Sequence, residues 1–363
     1  MKWQVKRIGK KKEDEKSMAQ RKEITGKPTV IKEVNIGLIK DALLSLGQAT
    51  RVELSKKTGI SQPTVNVLMK ELTEKNIVLN LGEANSTGGR RAEVYTLNLK
   101  RKHIVSVIAW EDVIGACVFD LELNKDMEKT VTVKEGTSHT KALTKLLDEI
   151  FEKTEDIKAV TIGVPGAVSK EGRIFVIPQI PEWEGFLLKA YLTEKYSVDV
   201  TVINDINAVA MGYLKAEKKT ALTDAKNIKE LVYLHVGETG MGAGIIINGK
   251  LHCGCNSFAG EVGYMQVSEK PMEEGLLKED ADKRAGLLSR IATNIICVLD
   301  PQEIVLGGRV TEKDAEKIKK GCSQYLPLET LPEFTVISDN TEYYFTGLGT
   351  FGQEMLDHQL RLK

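Results

Sequence analysis

Apolar residues between positions 51 and 72 recur at the i, i+3, i+4, i+7 spacing of a buried helical stripe: Leu54 in one short segment, then Val65, Leu68, Met69 and Leu72 in a second. The rhythm breaks at Thr58-Gly59-Ile60, so the pattern predicts two short helices around a tight turn. Thr50 and Glu53 stand at capping-box spacing for the first helix, and Ser61 opens the second with Pro63 in its first turn. Residues 77–81 and 91–97 carry alternating apolar positions around a polar stretch, 82–89, which predicts two strands and a loop. Farther on, the pattern predicts a hairpin over 104–108 and 114–120, a strand at 131–133, and a helix over 141–153 capped by Thr137 or Ser138. Strands at 160–164 and 200–203 and a helix over 208–216 follow. A second cycle then begins, with strands at 231–236 and 244–247, a helix over 285–299 and a strand at 303–306. Alternation of this kind predicts two α/β lobes with a cleft between them.

The first helix pair has the spacing of a DNA-reading helix-turn-helix. Its outward face carries Gln62, Thr64, Asn66, Val67 and Lys70. Gln and Asn bond adenine edges bidentately and a Thr methyl touches a thymine methyl, so these residue types suit a major groove. Arg51 and Ser61, at the two helix starts, complete the candidate set on the helices. The following loop contains Ser86-Thr87-Gly88-Gly89-Arg90-Arg91, in which glycines permit close backbone approach while Arg90 and Arg91 face phosphate or a narrow minor groove. An ordinary helix pair followed by a basic turn is the alternative reading. The succession of two helices, strand, basic loop and strand favours a winged helix.

Composition alters this picture little. Formal net charge over 363 residues is zero, so any basic surface is local. Residues 1–32 are polar and rich in Lys and Arg, which predicts a mobile arm that either touches DNA or is a solvated tail. No apolar run reaches membrane-spanning length and the N-terminus lacks a signal-peptide apolar core, so no membrane partner and a cytoplasmic location are expected. The five cysteines form no paired framework, which fits a reducing compartment. His252 and Cys253-Gly254-Cys255 invite a metal, but a second close pair of ligands is missing nearby.

Candidate chemistry gathers in three stretches. Residues 237–244, Gly-Glu-Thr-Gly-Met-Gly-Ala-Gly, join two strands; a strand rather than a helix follows, so this is a glycine hairpin and not a dinucleotide fingerprint. Its amides either line a phosphate-sized concavity or serve no ligand at all. The strand at 200–203 ends in Asn204-Asp205-Ile206-Asn207, polar residues that either cap the next helix or bind at a strand's carboxyl end. Ala259-Gly260-Glu261-Val262-Gly263-Tyr264 adds a further carboxylate. Asn204, Asp205 and Glu261 together make a set of acceptors and donors suited to a carbohydrate.

With Leu299-Asp300-Pro301-Gln302-Glu303-Ile304-Val305-Leu306-Gly307-Gly308, these stretches and the helix-turn-helix resemble the ROK family, and specifically its transcriptional repressors. The resemblance runs from about Asn35 onward. It implies an actin-like (ribonuclease H-like) two-lobed α/β fold behind a winged helix-turn-helix domain. The expected divisions are an arm at 1–32, the winged helix at 33–98, a first lobe at 104–203 completed by a C-terminal helix at 346–363, and a second lobe at 204–345. It also implies a sugar effector held at Asn204, Asp205 and Glu261, with Gln179 in the place of a usual sugar-binding Asn. A homodimer, or a tetramer built from it, on double-stranded DNA with a palindromic operator is implied as well. The residue matching Asp205 is the catalytic base in kinase members, and Thr239, Gly240 and Gly242 become a phosphate-loop remnant and Gly307 with Gly308 an adenosine-motif remnant.

Two departures from the family set the expected function. Kinase members open the first hairpin with a glycine-rich phosphate loop, whereas the matching stretch here is Ile108-Ala109-Trp110-Glu111-Asp112. Trp110 would fill the space and two carboxylates would repel phosphate, so ATP is not expected to bind and Asp205 becomes a vestigial base. Tyr264 replaces the family's zinc-binding His, and no cysteine follows until Cys297, so loss of the structural zinc is expected and Tyr264 is left as a hydroxyl donor. The sequence therefore predicts a sugar-responsive DNA-binding regulator of carbohydrate metabolism, a repressor in type, with no cofactor and no enzymatic activity. The alternatives are a sugar kinase with an accessory DNA-binding domain and a ligand-independent DNA-binding dimer.

Overall fold

The structure, a computed structural model, describes residues 28–83, 92–220, 227–237, 240–267 and 280–362. Within it the chain forms two compact units, one running to Arg101 and resuming at Met355, the other Lys102–Glu354. Among the described residues no helix is long and apolar enough to cross a membrane.

The first unit opens with α1 (Pro28–Leu46). Proline at the first helical position gives up only an N–H that a helix start leaves unpaired, and Gly47 at φ 72° ends the helix. Residues 28–32, expected in the arm, are thus helical; the buried stripe of Ile39, Ala42 and Leu43 anchors a helix that extends back to the proline. Residues 1–27 lie outside the described ones. Then come β1 (Ala49–Thr50), α2 (Arg51–Thr58), α3 (Gln62–Glu74), β2 (Val78–Glu83) and β3 (Glu93–Leu97). The capping box is formed: Thr50 N donates to Glu53 Oε2 at 2.8 Å and Glu53 N to Thr50 Oγ1 at 3.3 Å. Gly59, left-handed at φ 72°, closes α2 by donating to Ser55 O at 3.0 Å. Leu54, Val65, Leu68, Met69 and Leu72 are all buried, packing the two helices on α1 and on an antiparallel sheet of order β1-β3-β2.

The second unit repeats one plan. Its first lobe comprises β4 (His103–Ala109), β5 (Val113–Asp120), β6 (Lys125–Thr132), α4 (His139–Lys153) and β7 (Ile157–Val164). A small hairpin, β8 (Ala167–Val168) with β9 (Ile174–Phe175), follows, then α5 (Leu188–Tyr196) and β10 (Asp199–Asn204). The second lobe comprises α6 (Asp205–Thr220), β11 (Leu231–Val236), β12 (Met241–Ile247), β13 (Lys250–Leu251), α7 (Ala281–Leu299), β14 (Glu303–Gly308), α8 (Glu312–Cys322) and β15 (Glu333–Ile337). The C-terminal α9 (Thr341–Leu362) starts five residues earlier than expected. Strand order is β6-β5-β4-β7-β10 in one sheet and β13-β12-β11-β14-β15 in the other, an antiparallel meander extended by two parallel strands in each. This duplicated order is the two-lobed, actin-like arrangement.

Burial explains the strand sequences. In β4, Val105 and Val107 join the core under α4 and α5, while Ile108 joins a second core with α6 and α9, so both faces are covered and the strand is almost wholly apolar. Strand β6 is an edge with alternating exposure, which is why only its last residues were legible as a strand.

Helices α6 and α9 cross in backbone contact. A Cβ on Gly212 would lie 1.8 Å from Tyr343 O, and one on Gly347 would lie 1.8 Å from Ala208 O. Neither obstacle is a side chain that can rotate away. Gly286 in α7, by contrast, has nothing within 4 Å of its Cβ position. Gly347→Ala should therefore destabilise the chain by about 1–3 kcal/mol through overpacking, whereas Gly286→Ala should stabilise it by up to about 1 kcal/mol through helix propensity. Denaturant midpoints of the two variants check this, and shifts of the same sign would refute the crossing.

Candidate binding cleft and nucleic-acid face

In the first unit α3 presents Gln62, Asn66, Val67 and Lys70 as exposed residues, with Thr64 half-buried. Val67 is 67% exposed, an apolar side chain held in water on an otherwise polar face. Ser61 does not cap the backbone of α3; its Oγ pairs with Thr64 Oγ1 at 2.8 Å, because the hydroxyl one turn on is the nearer partner. Arg51 points elsewhere from the sequence expectation: its guanidinium bonds Tyr95 Oη, pairs with Glu93 at 3.2 Å and lies 5.0 Å from the Tyr95 ring centroid. It fastens α2 to β3. Arg90 and Arg91 lie outside the described residues.

In the second unit a cavity of about 420 Å3 opens between the lobes. Asp205 is the first residue of α6, directly after β10, and borders this cavity. Asn204 is engaged locally: its Nδ2 donates to Gly166 O and to Asp205 Oδ1, both at 3.1 Å, and its Oδ1 accepts from Asn207 N at 3.1 Å. Both amide protons are spent, so Asn204 caps α6 and positions Asp205 rather than offering a free donor. Asp205 Oδ1 also accepts from Ile206 N at 2.8 Å.

The other wall brings Glu261 to the same cavity. Gly260, at φ 101°, accepts at its carbonyl from Ala243 N at 2.7 Å, and a Cβ there would sit 1.9 Å from Ala243 O. Only glycine lets the chain lie this close to β12 and deliver Glu261. Gln179 arrives on a loop held by fully buried Trp183, whose Nε1 donates to Thr140 Oγ1 at 3.0 Å. Gln179 Oε1 is buried without a hydrogen-bond partner and its residue lines the cavity, an acceptor placed where a ligand donor can satisfy it. Tyr264 is 56% exposed and lies tilted against Phe258 with ring centroids 5.6 Å apart, so it forms an aromatic rim rather than a back wall. Phe258, Phe175 and His235 also line the cavity, and no local motif in the sequence marked them.

The glycines expected as nucleotide remnants have other partners. A Cβ on Gly242 would meet Ile206 Cδ1 at 2.5 Å and one on Gly244 would meet Ala210 Cβ at 2.5 Å, so these glycines seat α6 on β12. Gly307 makes room for Tyr233, whose Oη would lie 2.4 Å from its Cβ, and Gly308 at φ 81° abuts Val236 O. Gly240 borders the cavity, and Thr239 lies outside the described residues. Trp110 packs edge-on against Tyr344 at 6.3 Å beside Asp205, and Glu111 lines the larger cavity. Among the described residues no three His, Cys, Asp or Glu side chains gather to hold a metal.

Burial pushes the Asp205 carboxyl up to about 6, and the nearby Glu261 charge adds to this against the bonds from Ile206 and Asn204. Its proton is therefore held more tightly in the fold than in the unfolded chain. The stability this confers is complete at acid pH and is lost as pH rises through about 6. Asp205→Asn, which keeps the shape but cannot ionise, should be more stable than wild type by roughly 1–3 kcal/mol above pH 6 and converge with it below about pH 4. Melting temperature against pH measures this; a pH-independent offset would refute it.

Comparison with known proteins agrees with this geometry. Residues 110–279 match the ROK family and residues 42–78 match a winged helix-turn-helix DNA-binding domain. The xylose repressor of Bacillus subtilis (strain 168) is 29% identical over 248 residues, 66% of this chain and 62% of that protein. The DNA-binding transcriptional dual regulator NagC of Escherichia coli (strain K12) is 26% identical over 249 residues, 67% of this chain and 59% of that one. The match thus spans about three fifths of the length of these relatives. The crystal structure of a ROK family transcriptional regulator, a homolog of the E. coli MLC protein, superposes with a TM-score of 0.66 over 92% of this chain and 100% of that one, at 16% identity. The chain thus carries a stretch that matches the ROK family behind one that matches a winged helix-turn-helix DNA-binding domain.

Proposed function

We propose that the protein is a sugar-responsive, DNA-binding transcriptional repressor, in which the cleft of the ROK domain holds a sugar and the winged helix reads an operator. The observation that carries this reading is the convergence of Gln179, Asp205 and Glu261 on one cavity of about 420 Å3, with Gln179 Oε1 buried and unpartnered. Sugar hydroxyls are donors and acceptors in equal measure and match such a wall without requiring a cation. The repressors named above support it from the side of sequence.

Kinase chemistry is disfavoured by what surrounds Asp205. Phosphoryl transfer needs amides and a metal around a polyanion. Here Trp110 stands beside the carboxylate, Glu111 adds charge of the wrong sign, and Tyr233 occupies the space that Gly307 leaves. No ATP, zinc or other cofactor enters the proposal.

The operator is proposed to be palindromic and bound by a homodimer, with α3 in the major groove. Coupling requires the sugar to prefer one arrangement of the protein. The units are joined covalently at Arg101–Lys102.

The decisive measurement is operator binding across a panel of pentoses, hexoses and amino sugars, alongside a coupled ADP-release assay. A sugar that binds calorimetrically and changes operator affinity at least fivefold without nucleotide turnover is expected. Binding without any effect on the operator would refute the repressor reading, and turnover would favour the kinase. Asn66→Ala should relax preference at one base position, costing about 1–3 kcal/mol on the preferred sequence only. Lys70→Ala should instead weaken all sequences alike and reduce the salt slope by about 0.9. Uniform losses for Asn66→Ala would remove it from base readout.

A further inference from the structure

A second, smaller cavity of about 140 Å3 lies beyond Asp205. It shares Asp205, Ile206 and His235 with the larger one, so the two cavities adjoin at the carboxylate. Trp110, Val209, Tyr233, Asn340 and Tyr344 complete its wall. The volume exceeds what a single water needs.

Its polar groups form a directed set. Asn340 Nδ2 donates to Tyr233 Oη at 3.1 Å. Tyr233 Oη also lies 2.9 Å from His235 Nδ1. Burial depresses the His235 pKa and favours a neutral ring; with the Tyr233 proton on this bond, the ring carries its own on Nε2 as a donor. The hydroxyl of Tyr344, another residue of this wall, is buried and has no hydrogen-bond partner. Tyr344 is 2% exposed, and its Oη fits only because Gly163 beneath has no side chain: a Cβ there would lie 2.2 Å away. Burial and the Asp205 charge hold the phenol far above its usual range, so it stays a neutral donor and acceptor.

An orphaned buried hydroxyl is costly unless something completes it. Charge limits what that can be. No Lys or Arg lines the cavity among the described residues, and Asp205 would oppose a phosphate or carboxylate. A neutral hydroxyl answers every group present.

We propose that the small cavity is a subsite for an uncharged, hydroxyl-bearing extension of the sugar, such as a hydroxymethyl group, and that Tyr344 Oη is the group that selects it. The inference rests on the larger cavity holding a sugar. It makes the protein select a hexose over the pentose of the same ring configuration and over the hexose 6-phosphate. A site built to bond a hydroxyl discriminates strongly against the analogue that lacks it.

Calorimetry on the full chain with matched pairs tests this: D-glucose with D-xylose, D-galactose with L-arabinose, and D-mannose with D-lyxose, plus the 6-phosphates of the hexoses. For the pair that binds, the hexose should be at least tenfold tighter than its pentose and its phosphate ester. Tyr344→Phe should narrow the hexose-to-pentose ratio to within about threefold. The same variant without ligand should melt no lower than wild type, since its hydroxyl has no partner to lose. A pentose or phosphate ester binding as well as its hexose, an unchanged ratio in Tyr344→Phe, or a clear loss of stability without ligand would each overturn the subsite. If no sugar binds at all, the reading of the larger cavity fails instead, and the subsite with it.

Discussion

Helix α6 lies closer to its neighbours than side chains normally permit, and the cleft depends on that closeness. Gly242 and Gly244 of β12 leave room for Ile206 and Ala210 beneath the helix, and Gly212 and Gly347 let α6 and α9 cross at backbone distance. Asp205 is the first residue of this helix. A helix seated farther out would carry Asp205 away from Glu261 and Gln179, which come from other elements. The glycines thus act on ligand chemistry through packing, without touching a ligand.

The same closeness sets the electrostatics. Carboxylates are ordinarily expelled from a water-poor cleft, or neutralised there by a cation. Asp205 is instead kept by local bonds from Ile206 and Asn204, which offset part of the cost of burial while Glu261 adds to it. The result is a carboxyl that holds its proton until about pH 6. Such a group accepts a hydroxyl proton in a hydrogen bond readily. It is poorly suited to face a polyphosphate, and among the described residues the lining of both cavities offers no Lys or Arg to help.

How far the sequence could be read depended on whether a signal was local. The capping box at Thr50 and Glu53, the stripe from Leu54 to Leu72 and the turn at Gly59 are written in contiguous residues, and each appears where the pattern placed it. Trp110 was legible as a departure because the expected glycines were missing from a short motif. Where partners are distant in sequence, the reading was ambiguous or silent. Gly242 in a glycine hairpin is equally consistent with a phosphate cradle and with helix packing until Ile206 is found across it. Asn204 fits a ligand donor and a helix cap alike, and only the carbonyl of Gly166, 38 positions away, shows that its amide is spent. Tyr344 carries no motif at all. Its burial, its orphaned hydroxyl and its neighbours Trp110 and Asp205 arise from long-range folding.

The distribution of wall residues between lobes bears on how binding could be transmitted. Glu111, Gly166 and Gln179 belong to the first lobe, whereas His235 and Glu261 belong to the second, with Asp205 at the junction. A rigid sugar can satisfy both sets together at only one lobe separation, because hydrogen bonds weaken steeply with distance and angle. Ligand binding energy therefore depends on the spacing of the lobes, which is the differential affinity that a conformational response requires. The C-terminal helix lies on the first-lobe sheet through Phe345 and Gly352, contributes Tyr344 to the small cavity, and crosses α6. It thus meets the first-lobe sheet, α6 and the cleft wall, so α9 is the segment through which the proposed sugar would act on lobe spacing.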